Sequence, residues 1–320
     1  MKRILILGAY GYIGAKLSQF LSTKGFSVIA FGKTPPPVGH FWYNNIEDFI
    51  VGDIRDESIL NQICSRNYDV VINLISLDYK NSEISPIEAT LTNVIPSWNI
   101  LDRLVINSLK LFIYFSTVHV YGKLNNSKTN QLLDPKPNSK YALTHLLSEK
   151  VVDYYHNVSN VKCINLRVSN GYGSPFFENN NCWSLVVNDI CKSAFEKKKI
   201  IINSDGSPKC DFIHISDICK AIDIIINKNN SINRNLFNLS SNGLITISEL
   251  AILVQKTYLE KYGEEIPIIY KTKKVGKKKS SKEDNNDSII DNKKLKKLGF
   301  EPTMNLKDGV REIFQYLETS

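Results

Sequence analysis

The sequence predicts an α/β fold in which a doubly wound parallel sheet is joined to a smaller, partly interleaved C-terminal domain. Short β-branched runs alternate with longer amphipathic segments through the first half of the chain, a pattern typical of βαβ units. A glycine-rich turn follows the first of these runs. Beyond about residue 170 the alternation gives way to turns rich in Gly, Pro and Asn, which indicates a different architecture there.

Six segments are predicted to be strands, and several of them are apolar almost throughout. Strands of that kind are covered on both faces, as in a parallel sheet flanked by helices. The predicted strands are Arg3 to Leu7, Ser27 to Phe31, Glu47 to Val51, Val70 to Leu74, Leu111 to Phe115 and Val161 to Leu166.

Apolar residues at helical spacing predict helices between these strands. Ile13, Leu17, Phe20 and Leu21 form one stripe, and Leu143, Leu147, Val151 and Tyr154 form another. Later helices are predicted near Trp183 to Phe195, Ser216 to Asn227 and Ile247 to Tyr262. We predict a Rossmann-type domain over residues 1–170 with a returning segment near 211–240, and a smaller domain over 171–210 and 241–320.

The composition is that of an ordinary globular protein. The chain has 320 residues, of which 42% are hydrophobic and 22% charged, and this excludes a disordered or fibrous protein. No apolar run approaches the roughly 18 residues of a membrane helix, and the apolar start is too short for a signal peptide. The six cysteines are scattered without a Cys-x-x-Cys pair. We therefore expect a cytoplasmic protein with reduced thiols, no membrane partner and no metal.

The charge balance is basic, with 40 Lys and Arg against 32 Asp and Glu and a net charge of +8. Seven of the lysines fall in the segment Lys271 to Lys282. We interpret this segment as a solvated loop, with an electrostatic funnel for an anionic substrate as the alternative. No aromatic residue interleaves with these lysines, and no nucleic-acid-binding motif occurs elsewhere, so we expect no nucleic-acid partner.

The turn from Gly8 to Gly14 reads GAYGYIG and lies between the first predicted strand and the first predicted helix. Its glycines permit a tight turn, a close approach of backbone to a pyrophosphate and close packing of helix on strand, while the helix N-terminus supplies partial positive charge. We therefore predict a dinucleotide site here. Its predicted contacts are Gly8, Gly11, Tyr12, Ile13 and Gly14.

The end of the second predicted strand indicates which dinucleotide binds. Sites that prefer NAD place a carboxylate there to bind the ribose hydroxyls, whereas the 2′-phosphate of NADP requires a cation. Here the strand is followed by Gly32 and Lys33, and no carboxylate is present. We predict NADP, with NAD as the alternative and with a merely solvent-exposed Lys33 as the simpler interpretation.

Hydroxyl, phenol and imidazole groups follow the fifth predicted strand. The segment Ser116 to Gly122 reads STVHVYG, and Tyr141 and His145 are spaced to share one face of a later helix. A phenol can exchange a proton with a carbonyl or alcohol oxygen, and a nearby hydroxyl can hydrogen-bond the same oxygen. A helical tyrosine is more often a core residue, so this interpretation depends on the glycine turn.

Several dispersed motifs follow one another along nearly the whole chain. They are the glycine turn, Gly52 to Ile54, Asn93, Ser116 to Gly122, Tyr141 with Glu149, Leu166 to Gly173, Asp211 to His214 and Leu298 to Pro302. In this order they resemble the extended short-chain dehydrogenase/reductases. More narrowly, the chain resembles the NAD(P)-dependent epimerase/dehydratase branch, whose members act on nucleotide sugars.

This resemblance implies a role for each matching residue. Thr117 would orient the reacting sugar oxygen, and Tyr141 would exchange its proton as the nicotinamide carries hydride. Asn170 would hold the diphosphate of a nucleotide-sugar substrate, for which the smaller domain supplies much of the site. The implied cofactor contacts are Asp53 and Ile54 at the adenine, then Leu74, Ile75, Ser76, Asn93, Tyr141 and His145.

The chain departs from the family pattern at three places. The family's catalytic lysine is here His145, which is shorter and mostly neutral near pH 7. Val118 and His119 stand where the dehydratases carry an Asp-Glu pair, so removal of water from the sugar is not expected. Cys210 replaces a diphosphate-binding arginine and leaves Lys209 as the nearest cation. His119 is either an acid/base for a sugar carbon or a polar residue at the pocket edge.

We therefore predict an NADP-dependent reductase of a nucleotide-linked 4-keto sugar, in which Tyr141 donates the proton. One alternative is a nucleotide-sugar 4-epimerase with tightly bound NAD. The other is a non-catalytic NAD(P)-binding protein, because the family lysine is His145. The resemblance also implies a homodimer formed through two long helices.

Overall fold

The computed structural model describes residues 1–122, 133–233, 235–271 and 289–320. The lysine-rich segment Lys271 to Lys282 lies outside the described residues except for Lys271. The strands are β1 (Arg3–Leu7), β2 (Ser27–Gly32), β3 (Asp48–Val51), β4 (Val70–Asn73), β5 (Leu111–Thr117), β6 (Lys162–Val168), β7 (Asn170–Tyr172), β8 (Ile200–Ile202), β9 (Lys209–Cys210), β10 (Phe212–His214), β11 (Leu236–Leu239), β12 (Ile245–Thr246) and β13 (Ile268–Tyr270). The helices are α1 (Tyr12–Thr23), α2 (Glu57–Cys64), α3 (Tyr79–Ile84), α4 (Pro86–Asn93), α5 (Ile95–Leu104), α6 (Lys140–Val158), α7 (Val186–Lys197), α8 (Ile215–Asn227), α9 (Ile247–Tyr262), α10 (Lys293–Lys297) and α11 (Leu306–Thr319).

The predicted doubly wound sheet is confirmed. Within the described residues it has seven parallel strands in the order β11-β6-β5-β4-β1-β2-β3. The chain order reverses between β1 and β4, and in such sheets ligands bind at the carboxyl ends of the strands beside that reversal. The predicted strands match β1 to β6, although β5 runs on to Thr117, which places that hydroxyl at the carboxyl edge.

Helices cover both faces of the sheet, and the two faces of β1 show this. Successive β1 residues point to opposite faces, and both sets are buried against helices. Ile4 and Ile6 belong to one buried cluster with α1 and α8, and Leu5 and Leu7 belong to another with α2, α5 and α6. A strand buried on both faces has no polar side, and this explains the uniformly apolar runs in the sequence.

A third apolar cluster lies outside the sheet. It joins α7, α9 and α11 around Tyr172, Tyr258 and Phe314. The predicted later helices are confirmed as α7, α8 and α9, with ends within three residues of those expected. In the part of the chain that the structure describes, no helix combines the length and apolar character needed to cross a bilayer.

Candidate active site

The glycine turn joins β1 to α1 at the carboxyl edge of the sheet. Gly8 has a φ of +86°, a left-handed conformation that residues with a side chain rarely adopt. A Cβ on Gly14 would lie 2.1 Å from the Gly8 carbonyl oxygen, and one on Gly11 would lie 3.2 Å from the same atom. The turn is therefore a cradle of bare backbone at a helix N-terminus, and it fits the pyrophosphate of a dinucleotide.

The segment after β4 closes the floor of this cradle. A Cβ on Gly8 would lie 3.3 Å from the Leu74 carbonyl carbon and 3.5 Å from the Ile75 nitrogen. The Ile75 N–H donates to Asn73 Oδ1 at 3.0 Å, which fixes the course of the backbone there. Leu74 and Ile75 thus adjoin the glycine turn.

Tyr12 and Ile13 open α1 but face different surroundings. The Tyr12 hydroxyl donates to the Gly173 carbonyl oxygen at 2.8 Å, which links α1 to the loop after β7. Ile13 packs against the apolar cluster on its face of the sheet. Their side chains therefore hold the glycine turn against the rest of the fold.

At the end of β2, the position that would carry an acidic side chain is Gly32. A Cβ there would lie 3.2 Å from Phe49 Cζ and 3.4 Å from Tyr10 Cβ, so a carboxylate would be crowded. Lys33 is the next residue; its side chain is 72% exposed and its Nζ lies 3.0 Å from Asp53 Oδ2. The residue that follows β2 is therefore a cation paired with the carboxylate of Asp53.

Asp53 and Ile54 follow β3, the neighbour of β2. The guanidinium of Arg55 donates to both carboxylate oxygens of Asp53, at 2.9 Å and 2.6 Å. This contact, assisted by Lys33, holds the pKa of Asp53 well below its usual range. Ile54 is buried. Asp53 is therefore an anion that organises the two cations beside the end of β2.

Thr117, His119, Tyr141 and His145 meet beyond the carboxyl end of β5. Thr117 ends the strand, and its hydroxyl oxygen accepts from the His119 N–H at 3.2 Å. Tyr141 lies in the first turn of α6, which Ser139 caps with its side chain. The Tyr141 ring centroid lies 4.5 Å from that of His145 and 6.3 Å from that of His119. The structure therefore brings these four predicted residues together.

The electrostatic setting keeps both the phenol and the imidazole neutral. Burial raises the pKa of Tyr141 to about 12, although the nearby Thr117 hydroxyl acts in the opposite direction. Burial, with a smaller contribution from His119, lowers the pKa of His145 to about 3. A cation beside the phenol would lower the pKa of Tyr141. The side chain beside it is His145, which carries no charge at neutral pH.

His145 is held from both sides of its ring. Its Nε2 lies 3.1 Å from Ser76 Oγ, and its Nδ1 lies 2.9 Å from the hydroxyl of Tyr114. Asn93 links the segment after β4 to α6. Its amide oxygen accepts from the Leu77 N–H at 2.7 Å, and its amide nitrogen donates to the Thr144 hydroxyl at 2.9 Å. The predicted residues Ser76, Asn93 and His145 therefore form one connected network.

Two residues of this site escaped the sequence analysis. Tyr114 lies within the apolar run of β5, where its hydroxyl was the only signal of a polar partner. Glu83 lies at the end of α3 and accepts from the Lys140 and Tyr141 N–H groups at 2.7 Å and 3.2 Å. Its carboxylate thereby anchors the N-terminus of α6, where negative charge is stabilising.

The predicted substrate residues lie on neighbouring segments beyond β6. Thr117 and Val168 are paired in register on β5 and β6, and Asn170 follows two residues later at the start of β7. The Asn170 amide donates to the Asp211 carbonyl oxygen at 2.9 Å. Lys209 is exposed on β9.

This arrangement suits a proton donor better than a proton acceptor. A neutral phenol beside a hydroxyl can protonate an oxygen that gains negative charge, whereas removing a proton from an alcohol would require the phenolate. The cradle at the glycine turn can hold a dinucleotide, which supplies hydride chemistry when bound. The site therefore combines a cofactor cradle with a group that is protonated at neutral pH.

The sequence of this chain is similar to those of known proteins. Residues 4–240 match the model of the NAD dependent epimerase/dehydratase family. A protein of Methanocaldococcus jannaschii described as a putative UDP-glucose 4-epimerase is 24% identical over 99% of both chains. The low-salt glycan biosynthesis protein Agl12 of Haloferax volcanii is 22% identical over 98% of this chain and 97% of its own.

Solved structures share the fold over the same extent. The UDP-glucose 4-epimerase of Thermotoga maritima, solved with UDP-glucose, superimposes with a TM-score of 0.83 at 23% identity, covering 99% of each chain. The UDP-glucuronic acid 4-epimerase of Bacillus cereus, in complex with UDP-glucuronic acid and NAD, gives a TM-score of 0.79 at 22% identity and the same coverage.

Proposed function

This chain belongs to the NAD-dependent epimerase/dehydratase family, and from that premise we propose that it reduces a nucleotide-linked 4-keto sugar. It is an oxidoreductase or epimerase whose relatives act on nucleotide sugars. The glycine turn would hold the nicotinamide dinucleotide, which would supply the hydride for reduction of the keto carbon. Tyr141 donates its phenolic proton to the oxygen that becomes the hydroxyl, and Thr117 hydrogen-bonds that oxygen.

The observation that carries the proposal is the neutral Tyr141–His145 pair. With a pKa of about 12, about one Tyr141 phenol in 10⁵ is ionised at pH 7. Reduction consumes the protonated phenol, which is the abundant form. Oxidation of a sugar alcohol needs the phenolate, which is rare because burial raises the pKa of Tyr141 and the neighbouring His145 supplies no charge to offset it.

We propose NADP as the preferred cofactor. Lys33 supports this preference, because its ammonium could turn from Asp53 toward a 2′-phosphate beside Gly32. The crowding of Gly32 by Phe49 and Tyr10 further disfavours the carboxylate that would bind an NAD ribose. Equilibrium binding of NADPH and NADH to the wild type and to Lys33→Ala tests this preference. The loss of lysine should weaken NADPH binding selectively.

The remaining contacts follow the geometry of the cradle and the strand ends. We assign the pyrophosphate to Gly8, Gly11 and Gly14, with Tyr12 and Ile13 fixing the start of α1. Asn170 and Lys209 would hold the substrate diphosphate, and His119 would border the sugar. The adenine edge and the nicotinamide half are assigned to Asp53, Ile54, Leu74, Ile75, Ser76, Asn93 and His145.

A 4-epimerase with tightly bound NAD is the second candidate, and similarity favours it. UDP-glucose 4-epimerases occur among both the sequence relatives and the solved structures that match the chain. An epimerase must both oxidise and re-reduce the same carbon, so it would need Tyr141 as a base in one half of its cycle. It would also carry NAD through purification, whereas a reductase would release oxidised cofactor.

We extend the proposal to a homodimer in the cytoplasm. Trp98 on α5 and Tyr154 on α6 are 48% and 53% exposed, and Leu143 and Leu147 continue the apolar patch. Their exposure on adjacent helices supports pairing with a second copy. Sedimentation should show a dimer that Trp98→Glu converts to a monomer.

The six cysteines are unpaired thiols, and this supports the proposed location in the cytoplasm, which is a reducing compartment.

The activity is tested by supplying NADPH or NADH with a panel of nucleotide 4-keto sugars and following the absorbance of the reduced nicotinamide. We expect oxidation of NADPH with at least one member of the panel. Failure with every sugar by folded protein would contradict the reductase. The nucleotide released from purified protein separates the two candidates, because stoichiometric NAD supports the epimerase.

A further inference from the structure

We infer that Tyr114 is a positioning residue that holds His145 in the neutral form protonated on Nε2, so that the imidazole donates toward Ser76 and the cofactor side. This inference deepens the proposed function and depends on it for its effect on turnover. Its geometry is independent of the substrate. It concerns the place where this chain has replaced the family's catalytic lysine.

The first part of the argument is the burial of Tyr114. Its side chain is fully buried on β5, at 0% exposure, and a buried phenol requires a hydrogen-bond partner. Its hydroxyl lies 2.9 Å from Nδ1 of His145. Burial raises the pKa of this phenol well above its usual range, so the group retains its proton and can donate it.

The second part is that the protons along the network can be assigned consistently. The Ser76 hydroxyl donates to the Leu77 carbonyl oxygen at 2.8 Å, so Ser76 Oγ accepts from His145 Nε2 at 3.1 Å. A neutral imidazole has one N–H. With Nε2 protonated, Nδ1 must accept, and Tyr114 is the donor that faces it.

The opposite tautomer leaves these groups less well satisfied. With its proton on Nδ1, the imidazole would donate to the Tyr114 hydroxyl oxygen. The Tyr114 hydroxyl would then donate its hydrogen bond to the neighbouring Ser148 hydroxyl. Nε2 would need the Ser76 proton, which would break the bond to the Leu77 carbonyl oxygen. The observed network therefore favours Nε2–H.

The consequence concerns how the site works without lysine. A lysine at this position would present a charged donor, whereas His145 presents a neutral donor whose direction depends on its tautomer. Tyr114 fixes that direction from the interior of the sheet. Ser76, which follows β4 beside the floor of the glycine turn, receives the bond and extends the network toward the cofactor cradle.

The tautomer is measured directly by ¹⁵N NMR of histidine-labelled protein, with the His145 signals assigned by their loss in His145→Gln. In the wild type, Nδ1 should resonate as an unprotonated ring nitrogen and Nε2 as a protonated one. In Tyr114→Phe both signals should move toward the average of the two tautomers. Tyr68→Phe is the matched control, because it removes another buried phenol, which donates to the Ile63 carbonyl at 2.9 Å.

Activity gives a second readout. Tyr114→Phe should lower kcat with NADPH and the best keto sugar about tenfold, by analogy with the loss of groups that orient metal-bound histidines. Tyr68→Phe should leave kcat unchanged. A wild type protonated on Nδ1, or His145 signals that do not change in Tyr114→Phe, would overturn the inference. An enzyme inactive on every keto sugar but with the predicted NMR signature would refute the proposed function and support the positioning role.

Discussion

The Tyr141 and His145 rings meet edge to face, with their centroids 4.5 Å apart, and neither group carries a charge at neutral pH. In this family a lysine is expected at position 145, where its charge would stabilise the phenolate. The buried imidazole removes that stabilisation but keeps a hydrogen-bonding group in place. The substitution therefore favours the protonated phenol, from which reduction starts, over the phenolate, from which oxidation starts.

Replacing His145 with Lys should raise the initial rate of oxidation, because oxidation starts from the phenolate. A charged ammonium beside Tyr141 would lower the phenol's pKa by at least one unit, which raises the phenolate fraction about tenfold. We expect faster NADP⁺ reduction with the corresponding nucleotide sugar alcohol. Asn157→Lys adds the same charge at an exposed position of α6 and is the control. An equal gain in both variants would contradict a local effect on Tyr141.

Removing the Tyr141 hydroxyl should strongly lower turnover without affecting cofactor affinity. Loss of a general acid typically lowers kcat by about 10²- to 10⁴-fold, and we expect Tyr141→Phe to fall in that range. Tyr79→Phe is the matched control, because its exposed ring lies 5.9 Å from that of Tyr141. Substrate turnover and NADPH binding are measured for both variants. If Tyr79→Phe were inactive and Tyr141→Phe active, the proton donor would be Tyr79 and not Tyr141.

Adding a single methyl group to the glycine turn should disrupt it. The Cβ of Gly14→Ala would lie 2.1 Å from the Gly8 carbonyl oxygen, so α1 and the turn must move apart. We expect a loss of about 1–3 kcal/mol in the free energy of unfolding together with loss of NADPH binding. Gly171→Ala is the control, because its Cβ would have an ordinary contact at 3.5 Å. Normal NADPH binding by Gly14→Ala would show that the cradle is not the cofactor site.

The neutral His145 should make stability depend on pH. Its pKa is about 3 in the folded protein and about 6.5 in an unfolded chain. Between these values the unfolded state binds a proton that the folded state does not, so the free energy of unfolding falls as the pH falls. The contribution approaches about 1.4 kcal/mol per pH unit.

Urea denaturation of the wild type and His145→Gln at several pH values isolates this contribution. The difference in stability between the two proteins should be constant above about pH 7. Below about pH 6 the wild type should lose stability relative to the variant. A difference that stays constant down to about pH 4 would mean that His145 is not held neutral by the fold.

The sheet could be predicted where its strands contain nearly continuous apolar runs, as in β1, β2, β4 and β5. The seventh strand, β11, was not predicted, because it spans only four residues and contains a buried Asn238. That amide accepts from the Tyr121 hydroxyl at 2.7 Å, a contact 117 residues away in sequence. The place of β11 in the sheet depends on its pairing with β6. The residues of β11 alone do not indicate that pairing.

The candidate site shows the same division between local and distant contacts. Tyr141 and His145 could be placed on one helix face because their spacing is local. The partners that fix their environment lie far along the chain: Tyr114 is 31 residues from His145, and Glu83 is 58 residues from Tyr141. The predicted domain boundaries and the roles of the site residues remain predictions.

The ionisation of Tyr141 tests the central claim most directly. Tyrosine labelled with ¹³C at Cζ can be titrated by NMR, and the Tyr141 signal is identified by its loss in Tyr141→Phe. We expect the Tyr141 signal to remain that of a neutral phenol through the neutral range, with ionisation only near pH 12. Ionisation below about pH 9, under the usual value for a phenol, would contradict the proposed direction of catalysis.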